Sequence, residues 1–108
     1  MKEINYDELI TLLNKDHQNT LNRYVFVEFV GSWCPICRML GYLLEGFTRE
    51  NDYLFFTLNV ENETEKNKYH IYQVPTTLIY YNGELIETLI GNQQEEDLIE
   101  LKKRLNKK

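Results

Sequence analysis

The apolar and polar residues of the first third of the chain change from helical spacing to an unbroken apolar run. Three leucines recur at helical spacing after Asn5, a possible N-cap with Glu8 three residues later, which predicts a first helix from about Asp7 to Lys15. The segment from Tyr24 to Val30 is β-branched and aromatic apart from one glutamate. It therefore predicts a central strand that is buried on both faces.

The middle of the chain alternates between the same two patterns. Apolar residues at helical spacing predict a helix from Pro35 to about Glu50, and the apolar run from Tyr53 to Val60 predicts a second strand. Between Glu61 and Tyr69 the residues are charged and only weakly amphipathic, which indicates a short surface helix.

The last third of the chain has the pattern of a hairpin followed by a helix. The predicted strands Thr76–Tyr81 and Glu84–Ile90 flank Asn82-Gly83, a dipeptide typical of two-residue hairpin turns. Asn92, with Glu95 three residues later, predicts the start of a last helix with three leucines on one face. The element order αβαβαββα predicts an α/β fold, a mixed central sheet flanked by helices on both faces.

Composition and charge bound the function without identifying it. Residues 1–108 are predicted to form one domain, and the net charge is −5. A basic cluster closes the last helix, where it complements the helix dipole, and it lacks the interleaved aromatics of nucleic-acid-binding surfaces. No apolar stretch approaches a membrane span, and the N-terminus has no signal-peptide core. We therefore expect neither nucleic-acid nor membrane binding, and we expect a cytoplasmic location. A chain from which a leader segment had been removed would show the same pattern. The basic residues are Lys102, Lys103, Arg104, Lys107 and Lys108.

The two cysteines of the chain belong to the motif Cys34-Pro35-Ile36-Cys37. A helix that begins at Pro35 makes Cys34 its N-cap and places both thiols on one face, where a small disulfide ring can close. The free amides and partial positive charge of a helix N-terminus stabilise a thiolate on Cys34, and Arg38 adds a nearby cation. This arrangement points to thiol–disulfide exchange.

Two other interpretations of the cysteine pair remain open: a structural disulfide, or half of a zinc site. Zinc would need two further ligands, and the chain has only two histidines, His17 and His70. Their spacing fits no zinc-finger pattern. We therefore expect no metal.

A lone carboxylate, Glu28, interrupts the apolar run of the central strand. Burying its ionised form would be costly, so we expect its pKa to rise toward neutrality. The alternative is an ordinary charge on a solvated strand edge or strand end.

Four short motifs accompany this order of elements: Trp33-Cys34-x-x-Cys37, Val74-Pro75-Thr76, Asn82-Gly83 and Gly91. Together, the order and the motifs resemble the thioredoxin family over nearly the whole chain. The resemblance implies the thioredoxin fold, with a cis peptide bond before Pro75 that lies against the cysteine pair. The backbone of Val74 would then be free to pair with an extended substrate peptide.

The resemblance implies a role for each residue of the site. Cys34 is expected to attack a substrate disulfide and Cys37 to resolve the mixed disulfide, so that a redox-active Cys34–Cys37 disulfide acts without a bound cofactor. In thioredoxins an aspartate at the position of Glu28 accepts the proton of the resolving thiol through water, and glutamate is one methylene longer. The apolar rim around the exposed sulfur is expected to consist of Trp33, Ile36, Val74 and Gly91.

The implied function is that of a monomeric protein-disulfide reductase that acts on disulfide-containing protein substrates and is recycled by a flavin-dependent reductase. Two alternatives are a dedicated reductant of one partner enzyme and a redox-inactive binding module. Departures from the family pattern bear on proton management and partner choice. They are Pro35-Ile36 in place of Gly-Pro, Thr57 in place of a lysine near the buried acid, Val30 in place of a tryptophan, and Tyr42 in place of a proline in the active-site helix.

Overall fold

A mixed five-stranded sheet forms the centre of the computed structural model, which describes residues 1–14, 16–61 and 63–107. The strands lie in the order β1-β3-β2-β4-β5, with β1 and β2 parallel to β3, β4 antiparallel to β2, and β5 antiparallel to β4. Their bounds are β1 Lys2–Glu3, β2 Tyr24–Val30, β3 Leu54–Asn59, β4 Thr76–Tyr81 and β5 Glu84–Ile90.

The described helices cover the two faces of this sheet. None of them is long and apolar enough to cross a membrane. Their bounds are α1 Tyr6–Leu12, α2 Pro35–Glu50, α3 Glu63–Lys68 and α4 Glu95–Leu105.

Strand β2 runs through the middle of the molecule, and its side chains alternate between two apolar cores. Val25, Val27 and Phe29 pack in one core with Leu9 of α1, and Phe26 packs in the other with leucines of α2 and α4. Burying a side chain of this size stabilises the fold by roughly 1.5–3 kcal/mol. The predicted α/β architecture, a mixed sheet with helices on both faces, is confirmed.

The helix after the cysteine motif and the hairpin have the predicted bounds. α2 begins at Pro35 and ends at Glu50, and the strands β4 and β5 flank the turn as expected. Asn82 and Gly83 have φ angles of 49° and 83°. Positive values at both turn positions are those of the hairpin turn that this dipeptide favours.

The last helix begins later than the pattern predicted. Its N-cap is Gln94, whose backbone N–H donates to Asp97 Oδ2 at 2.8 Å. The prediction that Asn92 caps the helix with Glu95 as its partner is wrong, because Asp97 provides the reciprocal bond two residues further on. Glu95 lies instead in the first turn with Glu96 and Asp97, where carboxylates face the positive end of the helix dipole.

The first helix has the predicted capping box and an earlier end. Asn5 Oδ1 accepts the Glu8 N–H at 2.8 Å, and Glu8 Oε1 accepts the Asn5 N–H at 3.1 Å. The predicted end at Lys15 lies outside the described residues, and α1 stops three residues before it. Just beyond the helix, Asn14 Oδ1 accepts the Asp16 N–H at 2.9 Å, a local bond of the kind that competes with helix continuation.

Strand β1 is an element that the sequence pattern did not predict. Its two residues, Lys2 and Glu3, are exposed and pair with Phe56 and Thr57 of β3. A strand of this length has no apolar alternation to detect. The next residue, Ile4, is buried and donates its N–H to Thr57 O at 2.8 Å, which holds the N-terminal segment along the sheet edge.

Candidate active site

The active-site helix α2 begins inside the cysteine motif, with Cys34 as N-cap and Pro35 as the first helical residue. Proline suits this position because it has no N–H to leave unpaired. A disulfide joins Cys34 and Cys37, whose Cα atoms are 5.2 Å apart. The Cys37 N–H donates to Cys34 Sγ at 3.2 Å, so a free amide of the helix terminus points at this sulfur. The predicted N-cap position of Cys34 is confirmed.

The two cysteines differ in their access to solvent. Cys34 is partly exposed, whereas Cys37 faces the core and is 3% exposed. Arg38 is exposed and donates its backbone N–H to Cys34 O at 3.2 Å. Among the residues that the structure describes, no three His, Cys, Asp or Glu side chains are grouped so that they could hold a metal ion.

The loop around Pro75 lies next to the segment that leads into the cysteine motif. The Val74–Pro75 peptide bond is cis. A β-carbon built on Gly31, three residues before Cys34, would lie 3.5 Å from Val74 Cγ2, so the two loops are in contact. Gly91 has a φ of +78° and donates its N–H to Pro75 O at 2.8 Å. The structure therefore brings Val74, Pro75 and Gly91 together beside the active-site loop.

Two of the predicted rim residues are strongly exposed. Trp33, directly before Cys34, is 97% exposed, and Ile36, between the cysteines, is 51% exposed. Val74 and Gly91 are partly buried. An apolar side chain as large as that of Trp33 is seldom left in water unless a partner covers it.

Three further apolar side chains near the motif are exposed, and the sequence analysis did not include them. Met39 follows Ile36 by one helical turn, Tyr72 precedes Val74 by two residues, and Ile90 pairs with Thr76 next to the Pro75 loop. The spacing of three residues between Ile36 and Met39 on one helix was the available signal. For Tyr72 and Ile90 the signal was adjacency to predicted rim residues.

Glu28 is enclosed in the middle of the sheet. Its exposed fraction is 0%, and its strand neighbours are Thr57 on β3 and Thr77 on β4. Neither carboxyl oxygen of Glu28 has a hydrogen-bond partner among the described residues, and neither does Thr77 Oγ1. Burial raises the pKa of Glu28 from its ordinary value of 4.5 to about 8. The alternative of a charge on a solvated strand edge is therefore wrong.

The carboxyl group of Glu28 lies beneath α2 beside Gly41, one helical turn along the helix from Cys37. A β-carbon built on Gly41 would be 3.1 Å from Glu28 Oε1. Cys37 and Gly41 are both buried and are four residues apart on one face of α2, which separates them by about one helical turn of ~5.4 Å. The structure thus brings Glu28 to the face of α2 that carries Cys37. Gly41 was not singled out from the sequence, although it falls on the buried stripe of the helix.

Comparisons with known proteins agree with this geometry. The family model for thioredoxin matches residues 8–104. A thioredoxin from Rickettsia bellii is 34% identical over 79 residues, which cover 70% of this chain and 75% of the relative. A thioredoxin from Bacillus subtilis is 31% identical over 80 residues, which cover 71% of this chain and 77% of the relative.

Solved structures show the same likeness in three dimensions. The structure of Fasciola hepatica thioredoxin superposes with a TM-score of 0.78 at 25% identity, covering 96% of this chain and 98% of that one. Both cysteines of the present chain lie inside the matched region and are close enough to form a disulfide. The chain therefore belongs to the thioredoxin family, and its cysteine pair is that of a protein-disulfide oxidoreductase.

Proposed function

We propose that the chain reduces disulfides in protein substrates, with Cys34 as the attacking thiol and Cys37 as the resolving thiol. The observation that carries this proposal is the asymmetry of the pair: Cys34 is partly exposed at the start of a 16-residue helix and accepts an amide hydrogen bond, while Cys37 is buried. That amide and the positive helix terminus favour a thiolate on Cys34.

The reaction is two consecutive exchange steps. The Cys34 thiolate attacks one sulfur of the substrate disulfide, and the other substrate sulfur leaves as a thiolate. The Cys37 thiolate then attacks Cys34 Sγ, which releases the second substrate sulfur and forms the Cys34–Cys37 disulfide. Two electrons pass from the chain to the substrate. In the product of the second step the two Cα atoms are 5.2 Å apart, and both cysteines lie at the start of the same helix.

Glu28 is proposed to accept the proton of Cys37 before the second step, directly or through water. Burial raises the pKa of Glu28 to about 8. A pKa so close to neutral pH suits a group that gains and loses a proton during the reaction. The carboxyl lies on the same face of α2 as Cys37, and no described side chain holds it elsewhere.

Replacing Glu28 with glutamine is expected to slow the second step at neutral pH by at least roughly tenfold and to leave the first step nearly unchanged. The amide keeps the size of the side chain but cannot accept a proton. Stopped-flow fluorescence of Trp33, the single tryptophan and the neighbour of Cys34, follows both steps. Glu84→Gln, which removes an exposed carboxylate on β5, is the matched control. Equal slowing of both steps by Glu28→Gln would argue against the relay.

Substrate binding is proposed to use the apolar surface beside Cys34 and the backbone of the Pro75 loop. Trp33 and Ile36 offer apolar contacts, and Val74 offers backbone groups next to a proline that has no N–H. An extended or unfolded protein segment fits such a surface, since it can pair through its own backbone. We further propose that the chain acts as a cytoplasmic monomer in redox homeostasis and is re-reduced by a flavin-dependent reductase.

Insulin reduction tests the proposed function. The chain, a flavin-dependent thioredoxin reductase and the reduced nicotinamide cofactor are mixed with insulin, and turbidity from the released B chain is recorded. Catalytic turbidity together with cofactor oxidation supports a general protein-disulfide reductase. Cofactor oxidation only with one particular partner enzyme would indicate a dedicated reductant. Binding of partners without any thiol exchange would contradict the proposal and favour a binding module.

A further inference from the structure

We propose that Gly41 is a positioning residue for Glu28: its missing side chain leaves the room that a glutamate, one methylene longer than aspartate, needs beneath α2. This inference rests on the proposed role of Glu28. It adds Gly41 as a second residue, whose small size suits the length of that acid. Gly41 itself touches neither the substrate nor the reacting sulfurs.

The contact between Gly41 and the carboxyl group is close. A β-carbon at position 41 would lie 3.1 Å from Glu28 Oε1 and 2.5 Å from Met1 Sδ. The Met1 side chain is unbranched and flexible and is 20% exposed, so its sulfur can move aside. Glu28 has no such freedom, because it is fully buried between Thr57 and Thr77 on the neighbouring strands. An alanine at position 41 would therefore push the carboxyl group away by a few tenths of an ångström.

The second glycine of α2, Gly46, provides a comparison that shows whether this contact is specific to position 41. Glycine inside a helix is less favourable than alanine because its backbone loses more freedom. α2 contains two glycines, and a β-carbon on Gly46 would meet nothing within 4 Å, whereas one on Gly41 would press on Glu28. Alanine would thus improve the helix at either position, but only at Gly41 would it disturb the acid.

The charged groups around Glu28 make its titration a clear report of position. On α2 the nearest carboxylate, Glu45, is paired with the N-terminal ammonium of Met1 at 2.8 Å. The flanking strands present the neutral hydroxyls of Thr57 and Thr77, and α4 packs on this face through leucines. The phenols of Tyr24 and Tyr53 also pack on this face, and burial raises the pKa of each. The pKa of Glu28 is set by its burial, so a displacement of the carboxyl group changes its desolvation and shifts that pKa.

The experiment compares Gly41→Ala with Gly46→Ala and with the double variant Gly41→Ala/Glu28→Asp. Carbon-13 NMR of labelled carboxyl groups gives the titration midpoint at position 28, and stopped-flow kinetics gives the rate of the second exchange step against pH. Gly41→Ala is expected to shift the midpoint by at least ~0.5 pH unit and to slow the step roughly tenfold. Gly46→Ala should change neither quantity.

Replacing Glu28 with the shorter aspartate is expected to restore the rate in the Gly41→Ala background. Aspartate at position 28 withdraws the carboxyl from α2, so the double variant should regain most of the rate that Gly41→Ala loses. An unchanged midpoint in Gly41→Ala, or a double variant no faster than the single one, would overturn the inference. Should Gly41→Ala fail to fold, the double variant decides: if it also fails to fold, the contact with Glu28 is not the reason. If Glu28→Gln leaves the second step unaffected, the proposed proton transfer to Glu28 is wrong. The NMR midpoint at position 28 still tests whether Gly41 positions that carboxyl group.

Discussion

Replacing Cys34 with serine is expected to abolish insulin reduction, with turnover falling at least roughly a thousandfold. Cys34 is the half of the pair that a substrate disulfide can reach, since Cys37 is 3% exposed. A serine hydroxyl at the helix terminus is not ionised at neutral pH and is a poor nucleophile toward sulfur. Insulin turbidity and cofactor oxidation, recorded with equal amounts of reductase, measure the loss.

A nearby substitution serves as the control for this loss. Ser32→Ala changes an exposed side chain two residues before Cys34 and should retain most of the turnover. Substantial turnover in Cys34→Ser would contradict the assignment of the nucleophile. It would show that Cys37 attacks substrates in spite of its burial.

Replacing Glu28 with glutamine is expected to stabilise the folded chain at alkaline pH by roughly 4–5 kcal/mol relative to the parent. The pKa of Glu28 is about 8 in the folded chain, against 4.5 ordinarily, so between these pH values the folded state binds one more proton than the unfolded state. The free energy of unfolding of the parent therefore contains a contribution that is present below about pH 4.5 and is lost as pH rises to about 8. Glutamine stays neutral and has no such loss.

Urea unfolding of the oxidised chain at a series of pH values measures this difference. At about pH 4.5 the parent and Glu28→Gln should unfold at similar urea concentrations, and the variant should gain steadily as pH rises to about 8. Glu84→Gln, at an exposed site, should follow the parent throughout. Parallel curves for Glu28→Gln and the parent would show that the buried carboxyl ionises as easily as an exposed one.

Much of the fold follows from patterns that act over a few residues. The apolar run of β2 predicted a fully buried strand, and Asn82-Gly83 predicted the hairpin because both positions need positive φ. Pro35 fixed the start of the active-site helix, and with it the N-cap position of Cys34. These features depend on local backbone chemistry, so they can be predicted before any tertiary contact is known.

The features that were missed depend on choices between similar local signals or on distant contacts. Asn92 and Gln94 were both followed by an acid three residues later, and only the structure shows that the bond to Asp97 forms. Strand β1 exists because β3 offers it an edge, not because its own two residues favour a strand. The contact between Gly41 and Glu28 joins two elements, and a glycine gives no sign in sequence of what occupies its empty side.

The candidate site could be predicted in part for the same reason. The cysteine motif and the cis bond before Pro75 were expected, because both rest on short motifs that also carry the family resemblance. The burial of Glu28 followed from the apolar residues on either side of it. The exposure of Met39, Tyr72 and Ile90 was not predicted, although each lies near a predicted rim residue, because the same residue types at helical or strand spacing usually enter a core.

The yield of covalent complex with a disulfide-containing protein tests the central claim most directly, measured by mass spectrometry for Cys37→Ser and Cys34→Ser side by side. Each variant keeps one thiol, so any complex reports which sulfur attacks. The account predicts that Cys37→Ser accumulates a mixed disulfide through Cys34 and that Cys34→Ser forms almost none. Equal or faster accumulation with Cys34→Ser would contradict it.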